Sequence, residues 1–160
     1  MVDTCQATEP TPLEAKVSSA SMSKNWQARR PYPRKNMKTL SRDDVPLVVL
    51  DTDATQKFAE IKVQWDGNDG EGETSVVLIR GLATAEVHLD AAAPTMRLLR
   101  RAGVCATVTG GGRIVHDSSK RSIFAYGYSM KYGPADLATV ADLCREAFPD
   151  YDVTWNKGGY

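Results

Sequence analysis

The sequence predicts an α+β domain on three observations. Segments of strand character outnumber helical ones, two helical segments each carry a single apolar stripe, and a stripe of that kind needs a sheet to cover it. A chain of 160 residues that is 42% hydrophobic and 25% charged has the apolar material for one core. The first 44 residues stand apart from it. They are rich in Pro, Ser, Lys and Arg, show neither period, and read as a disordered basic extension ahead of a domain over 45–160. The acid-poor stretch from Lys16 to Arg42 overlaps in character with transit peptides. Pro31 and Pro33 interrupt any amphipathic helix there, so a solvated arm is the simpler reading.

Pro46 to Leu50 is a short apolar run that turns at Asp51, Thr52 and Asp53. Lys57 to Trp65 alternates and predicts a strand, with Phe58, Ile61, Val63 and Trp65 as its apolar members. The Gly-rich acidic stretch Asp66 to Glu73 fails the calcium-loop pattern, since its fifth position is Gly70 and its twelfth is Val77. It reads as a hairpin connection to a strand over Thr74 to Arg80. A helix is predicted from Pro94 to Ala102, with Pro94 in its first turn and Arg100, Arg101 and Gly103 as its stop signal. His88 then falls on the irregular approach to that helix, where backbone N–H groups can face an anion.

Val104 to Thr109 is the next strand, with Cys105 as a small buried thiol. Gly110, Gly111 and Gly112 follow. Three glycines allow positive φ and close backbone approach, so Thr109 to Arg113 is expected to turn tightly and point N–H groups at an anion, with Arg113 supplying charge. Ile114, Phe124 and Tyr126 flank the polar turn Asp117 to Lys120 and predict a hairpin. After the loop Tyr128 to Pro134, Pro134 is expected at the first position of a second helix, whose stripe is Leu137, Val140, Ala141, Cys144 and Phe148. Pro149 stops it, and Tyr151 to Trp155 makes a last strand.

Charge and cysteine usage exclude several classes. The formal net charge is zero, and residues 45–160 carry 12 basic against 15 acidic side chains, which argues against nucleic acid as a partner of the fold. No apolar run approaches ~18 residues, so no membrane span is predicted. Cys5, Cys105 and Cys144 form no CxxC pair, the usage of a reduced, cytoplasmic protein. The histidines are not spaced with carboxylates as metal ligands, the glycine triplet lacks the Lys-Ser/Thr of a P-loop, and GYSMK lacks the second Gly of a nucleophile elbow. No metal and no cofactor are expected.

Three separated motifs, GGGRIVH from Gly110, YGYSMKYGPA from Tyr126 and PDYDVTWNKGGY at the end, resemble the small phosphohistidine phosphatase family that includes the janus and ocnus proteins. The resemblance spans 45–160. It implies a mixed sheet of about six strands with a helix on each side. It also implies that His88, in AEVHLD, is catalytic, that His116 supports the pocket, and that Lys57, Arg80 and Arg113 bind phosphate. Ser129, Met130 and Lys131 fall in the loop that places a hydroxyl and backbone N–H groups around it. Lys131 replaces a residue that is commonly small in the family; it either adds phosphate affinity or points outward and leaves activity unchanged, the outward reading being the simpler.

The residues themselves are consistent with this chemistry. Only two histidines occur, His88 and His116, each beside an irregular or Gly-marked segment, and either is a candidate base or a polar residue satisfied by a neighbour. Phosphoryl transfer needs cations on the peripheral oxygens and water placed in line. The expected activity is metal-independent hydrolysis of phosphohistidine, with phospholysine as a further substrate, by a monomer acting on a phosphorylated protein. His88 serves as general base or as nucleophile, and the sequence leaves both open. The rival from another class is a non-catalytic phosphoprotein-binding regulator.

Overall fold

Strand β2 (Ala54–Trp65) is the middle of the sheet, and its composition shows why: Phe58, Ala59, Ile61 and Val63 are all fully buried, so both of its faces are covered. The computed structural model describes residues 40–65 and 74–158. β3 (Thr74–Leu82) pairs antiparallel with β2 from Lys57↔Leu82 to Trp65↔Thr74. The predicted Asp66 to Glu73 connection between them lies outside the described residues, as does most of the predicted extension. β1 (Val48–Val49) lies parallel to β3, β4 (Cys105–Asp117) and β5 (Ser122–Tyr126) continue antiparallel on the other side of β2, and β6 (Asp152–Asn156) closes parallel to β5. The order is β1-β3-β2-β4-β5-β6, a six-stranded mixed sheet.

Neighbouring residues of a strand point to opposite faces. Phe58, Ile114 and Ile123 therefore pack with Leu137, Val140, Ala141 and Cys144 of helix α2 (Leu137–Ala147), while Ala59, Ile61, Val63 and Leu78 pack with Ala92 and Leu99 of helix α1 (His88–Ala102). One helix covers each face, as expected. Neither helix is long and apolar enough to cross a membrane. Of the segment predicted disordered, Arg42–Asp44 form a 3-10 turn in which Asp44 accepts from the Ser41 N–H, and Leu40 packs on the α1-side core. The ordered domain thus reaches back beyond residue 45.

Three local expectations are corrected. Helix α1 starts at His88 rather than Pro94, because Asp90 accepts from the N–H groups of both Glu86 and Val87 at 2.9 Å and caps the chain six residues earlier. Pro94 sits inside the helix and forgoes one backbone bond, which burial of Ala91, Ala92 and Leu99 offsets. Pro134 does not open α2. Asp136 does, its carboxylate accepting from Ala138 N at 3.2 Å and Thr139 Oγ1 at 2.9 Å, whereas Pro134 is bridged to Gly111. Finally, Gly110 to Gly112 do not turn. They lie within β4, paired with Glu60, Ala59 and Phe58, and the positive-φ glycines among the described residues are Gly103, Gly127 and Gly133.

Cys144 lies wholly inside the α2-side core, and burial pushes its thiol from the ordinary 9.0 up to about 11. A raised folded value means the unfolded chain loses its proton first. Stability from this thiol is therefore intact below pH 9 and is lost as pH rises towards 11, by up to roughly 2–3 kcal/mol. Denaturant midpoints measured between pH 8 and 11 should fall more steeply for the wild type than for Cys144→Ala. Equal slopes would mean the thiol ionises without penalty.

Candidate active site

The site begins with a register. Lys57 of β2 lies directly across from Arg113 of β4, so both side chains rise from the sheet face that α1 covers. His88, the first residue of α1, leans over the same face. Its Nδ1 lies 2.8 Å from the carbonyl oxygen of Phe58, and a carbonyl can only accept, so Nδ1 carries a proton and, in the neutral ring, the lone pair is on Nε2. Gly111 makes this contact fit: a Cβ there would stand 2.7 Å from Phe58 O and 2.8 Å from His88 Nδ1. The three glycines serve close approach throughout, since a Cβ on Gly110 would meet the Ala135 backbone and one on Gly112 the Tyr126 carbonyl, each at 2.7 Å.

The register also carries a bulge. Glu60 pairs with Gly110 but Ile61 with Val108, which leaves Thr109 as the extra residue of β4. Thr109 Oγ1 donates to Glu60 Oε1 at 2.6 Å, and Glu60 Oε2 accepts from Asp136 N at 2.9 Å. This buried carboxylate ties the glycine strand to the start of α2. The sequence reading missed it, although a Glu inside an apolar strand is the kind of residue that must find donors.

The loop after β5 closes the pocket. Ser129 and Gly133 form a bridge, with Ser129 N donating to Gly133 O at 3.1 Å and Gly133 N donating back at 2.8 Å. Gly111 N donates to the same Gly133 carbonyl at 3.2 Å, which fastens the loop to the strand beneath His88. Ser129 is buried, and its Oγ accepts from Tyr132 N at 3.2 Å, leaving its own proton to donate. A cavity of about 430 Å³ results, lined by Lys57, His88, Arg113, Ser129, Met130 and Lys131. Glu86, Val87, Leu89 and Tyr132 complete its lining. The Lys57 ammonium donates to the Glu86 carbonyl, and Lys131 lines the cavity with its ammonium 5.2 Å from the Tyr132 ring centre. Lys131 is exposed where it lines the cavity.

Two residues expected at the site are elsewhere. Arg80 is buried and its guanidinium donates to Thr95 Oγ1 and to the carbonyls of Pro46, Leu47 and Ile79, at 2.7 to 3.1 Å. It fastens the strand β1 segment and α1 to β3, and burial lowers its value to about 10. We expect Arg80→Met to destabilise the fold by roughly 2–4 kcal/mol, through orphaned carbonyls rather than lost substrate binding. A chemical denaturation curve unchanged from wild type would contradict this. His116 is on the opposite sheet face from His88, because it sits three residues along β4 from Arg113. It is 2% exposed, donates from Nδ1 to Asp51 O at 3.0 Å, and packs edge-on against Phe148 and Tyr151. It belongs to the core.

Fold and pocket together define an α+β domain whose cavity is lined by an imidazole pinned through Nδ1 to a backbone carbonyl and by Lys57, Arg113 and Lys131, an arrangement suited to an oxyanion. Comparison with known proteins gives that class a family. The model for the Janus/Ocnus family matches residues 42–152. The "14 kDa phosphohistidine phosphatase" of Homo sapiens is 36% identical over 117 residues, covering 72% of this chain and 94% of the relative. The Sus scrofa protein of the same name is 35% identical over 118 residues, covering 72% and 93%. The "Sex-regulated protein janus-A" of Drosophila melanogaster is 34% identical over 116 residues, covering 72% and 82%. The chain belongs to the Janus/Ocnus family.

Proposed function

We propose that this protein is a metal-independent phosphatase that hydrolyses the P–N bond of phosphohistidine in proteins, with His88 as general base. The observation that carries the reading is the Nδ1–H bond of His88 to the Phe58 carbonyl, which holds the other ring nitrogen as an acceptor in the cavity that Lys57 and Arg113 also line. Nε2 takes a proton from water, the oxygen attacks phosphorus as the P–N bond breaks, and Nε2 returns that proton to the departing imidazole nitrogen, which regenerates the base. Lys57 and Arg113 offset charge on the peripheral oxygens, and the Ser129 hydroxyl donates to one of them. Attack by Nε2 itself, giving a phosphoenzyme, uses the same lone pair. Single-turnover trapping separates the two.

A non-catalytic phosphoprotein binder is the rival, since one relative's name gives a phosphatase while that of janus-A names no activity. Presence of the base as well as the cations favours the enzyme, because binding alone needs only the cations. Release of phosphate from a phosphohistidine peptide in the presence of chelator is the test. Strong release excludes the binder, and release that needs added metal excludes the mechanism proposed here. Arg113→Lys should weaken apparent binding by about 1–3 kcal/mol, since an ammonium cannot reproduce a bidentate fork, and an unchanged KM would return Arg113 to a structural role. The long cysteine spacings without a CxxC pair support a reducing compartment such as the cytoplasm as its location.

A further inference from the structure

Three exposed, large apolar side chains gather at the mouth of one cavity. Val87, Leu89 and Met130 are 55%, 40% and 92% exposed, and all three line the cavity that holds His88. They come from separate segments, Val87 and Leu89 flanking His88 at the start of α1 and Met130 projecting from the loop between Ser129 and Gly133. Bare phosphate gains nothing from such a rim. Nor does the helix, since Val is among the poorer residues at the position just before the first turn. Clustered apolar surface around a polar floor has a physical use only where the molecule that delivers the anion is itself apolar at that point.

Resting on the phosphatase reading above, we propose that this collar seats apolar side chains beside the phosphorylated residue of a polypeptide, so that the protein selects its substrates by the residues flanking the modified one. A small phosphoramidate would fill the floor and leave the collar wet. A peptide whose modified side chain enters the cavity must carry its neighbours across the rim, because consecutive Cα atoms are only ~3.8 Å apart. The collar thus meets the substrate chain on both sides of the reacting group.

The test compares two phosphohistidine peptides of equal length and charge, one flanked by Leu and Phe, the other by Ser and Gly. Wild-type kcat/KM should favour the apolar peptide about tenfold, the worth of roughly 55 Å² of apolar surface removed from water. In the double variant Val87→Ser, Leu89→Gln the ratio should approach one, mainly through KM. Both side chains are exposed and Ser caps a helix better than Val, so a matching melting curve will confirm that the variant folds. A wild-type ratio near one, or a ratio that survives in the variant, overturns the inference while leaving the phosphatase reading intact. Phosphate release from neither peptide overturns the phosphatase reading itself. A flat ratio accompanied by wild-type but not variant cosedimentation with anionic phospholipid vesicles, or by wild-type self-association lost in the variant, gives the collar to a membrane or a second copy instead.

Discussion

Turnover of a phosphohistidine peptide is expected to fall by on the order of 100-fold or more in His88→Ala, the usual size of a lost general base. The variant removes the ring whose Nδ1 is fixed on the Phe58 carbonyl, and with it the Nε2 acceptor. Peptide binding should persist, since Lys57 and Arg113 remain. The informative control is the other histidine. His116→Ala opens a void among Phe148, Tyr151 and the Asp51 carbonyl, so it should cost roughly 2 kcal/mol of stability and little turnover in the folded fraction. If His116→Ala is inactive while well folded and His88→Ala turns over normally, the base has been assigned to the wrong face of the sheet.

That contrast was partly legible beforehand. Once Arg113 to Asp117 is read as a strand, residues three apart must face opposite ways, so Arg113 and His116 cannot share a pocket unless a bulge falls between them. The family resemblance suggested otherwise, and strand parity decides the matter. Arg80 was hidden for another reason: a cation in a strand looks the same in sequence whether it meets a phosphate or backbone carbonyls, and the carbonyls of Pro46 and Leu47 come from a segment more than thirty residues away. The helices and five of the strands were readable because their apolar periods were long. The sheet order, set by long-range pairing such as Lys57 with Arg113, was not. The start of α1 was misplaced because Pro94 is a strong local signal, and Asp90 bonding back to Glu86 and Val87 outweighs it.

The glycine triplet was expected to act through a turn, and its placement inside β4 gives it a different role with a large predicted effect. Gly111→Ala should lower kcat by about tenfold to 100-fold while changing KM little. The added Cβ would stand 2.7 Å from Phe58 O and 2.8 Å from His88 Nδ1, the two atoms of the bond that fixes the base. The imidazole can swing away from the new Cβ, but Phe58 is a fully buried residue of the central strand, so the contact with its carbonyl is relieved only by a local shift of β4 at residue 111. Once displaced, the ring loses the acceptor that held its proton on Nδ1, and Nε2 no longer points reliably into the cavity. The anion site should be less affected, because the clash falls at residue 111, two residues along β4 from the Lys57 and Arg113 pair. The variant should therefore still bind the phosphopeptide, which calorimetry can measure, while hydrolysing it slowly. Full turnover in Gly111→Ala would show that the contact between His88 and the Phe58 carbonyl is dispensable, and the argument for His88 as an oriented base would fall with it.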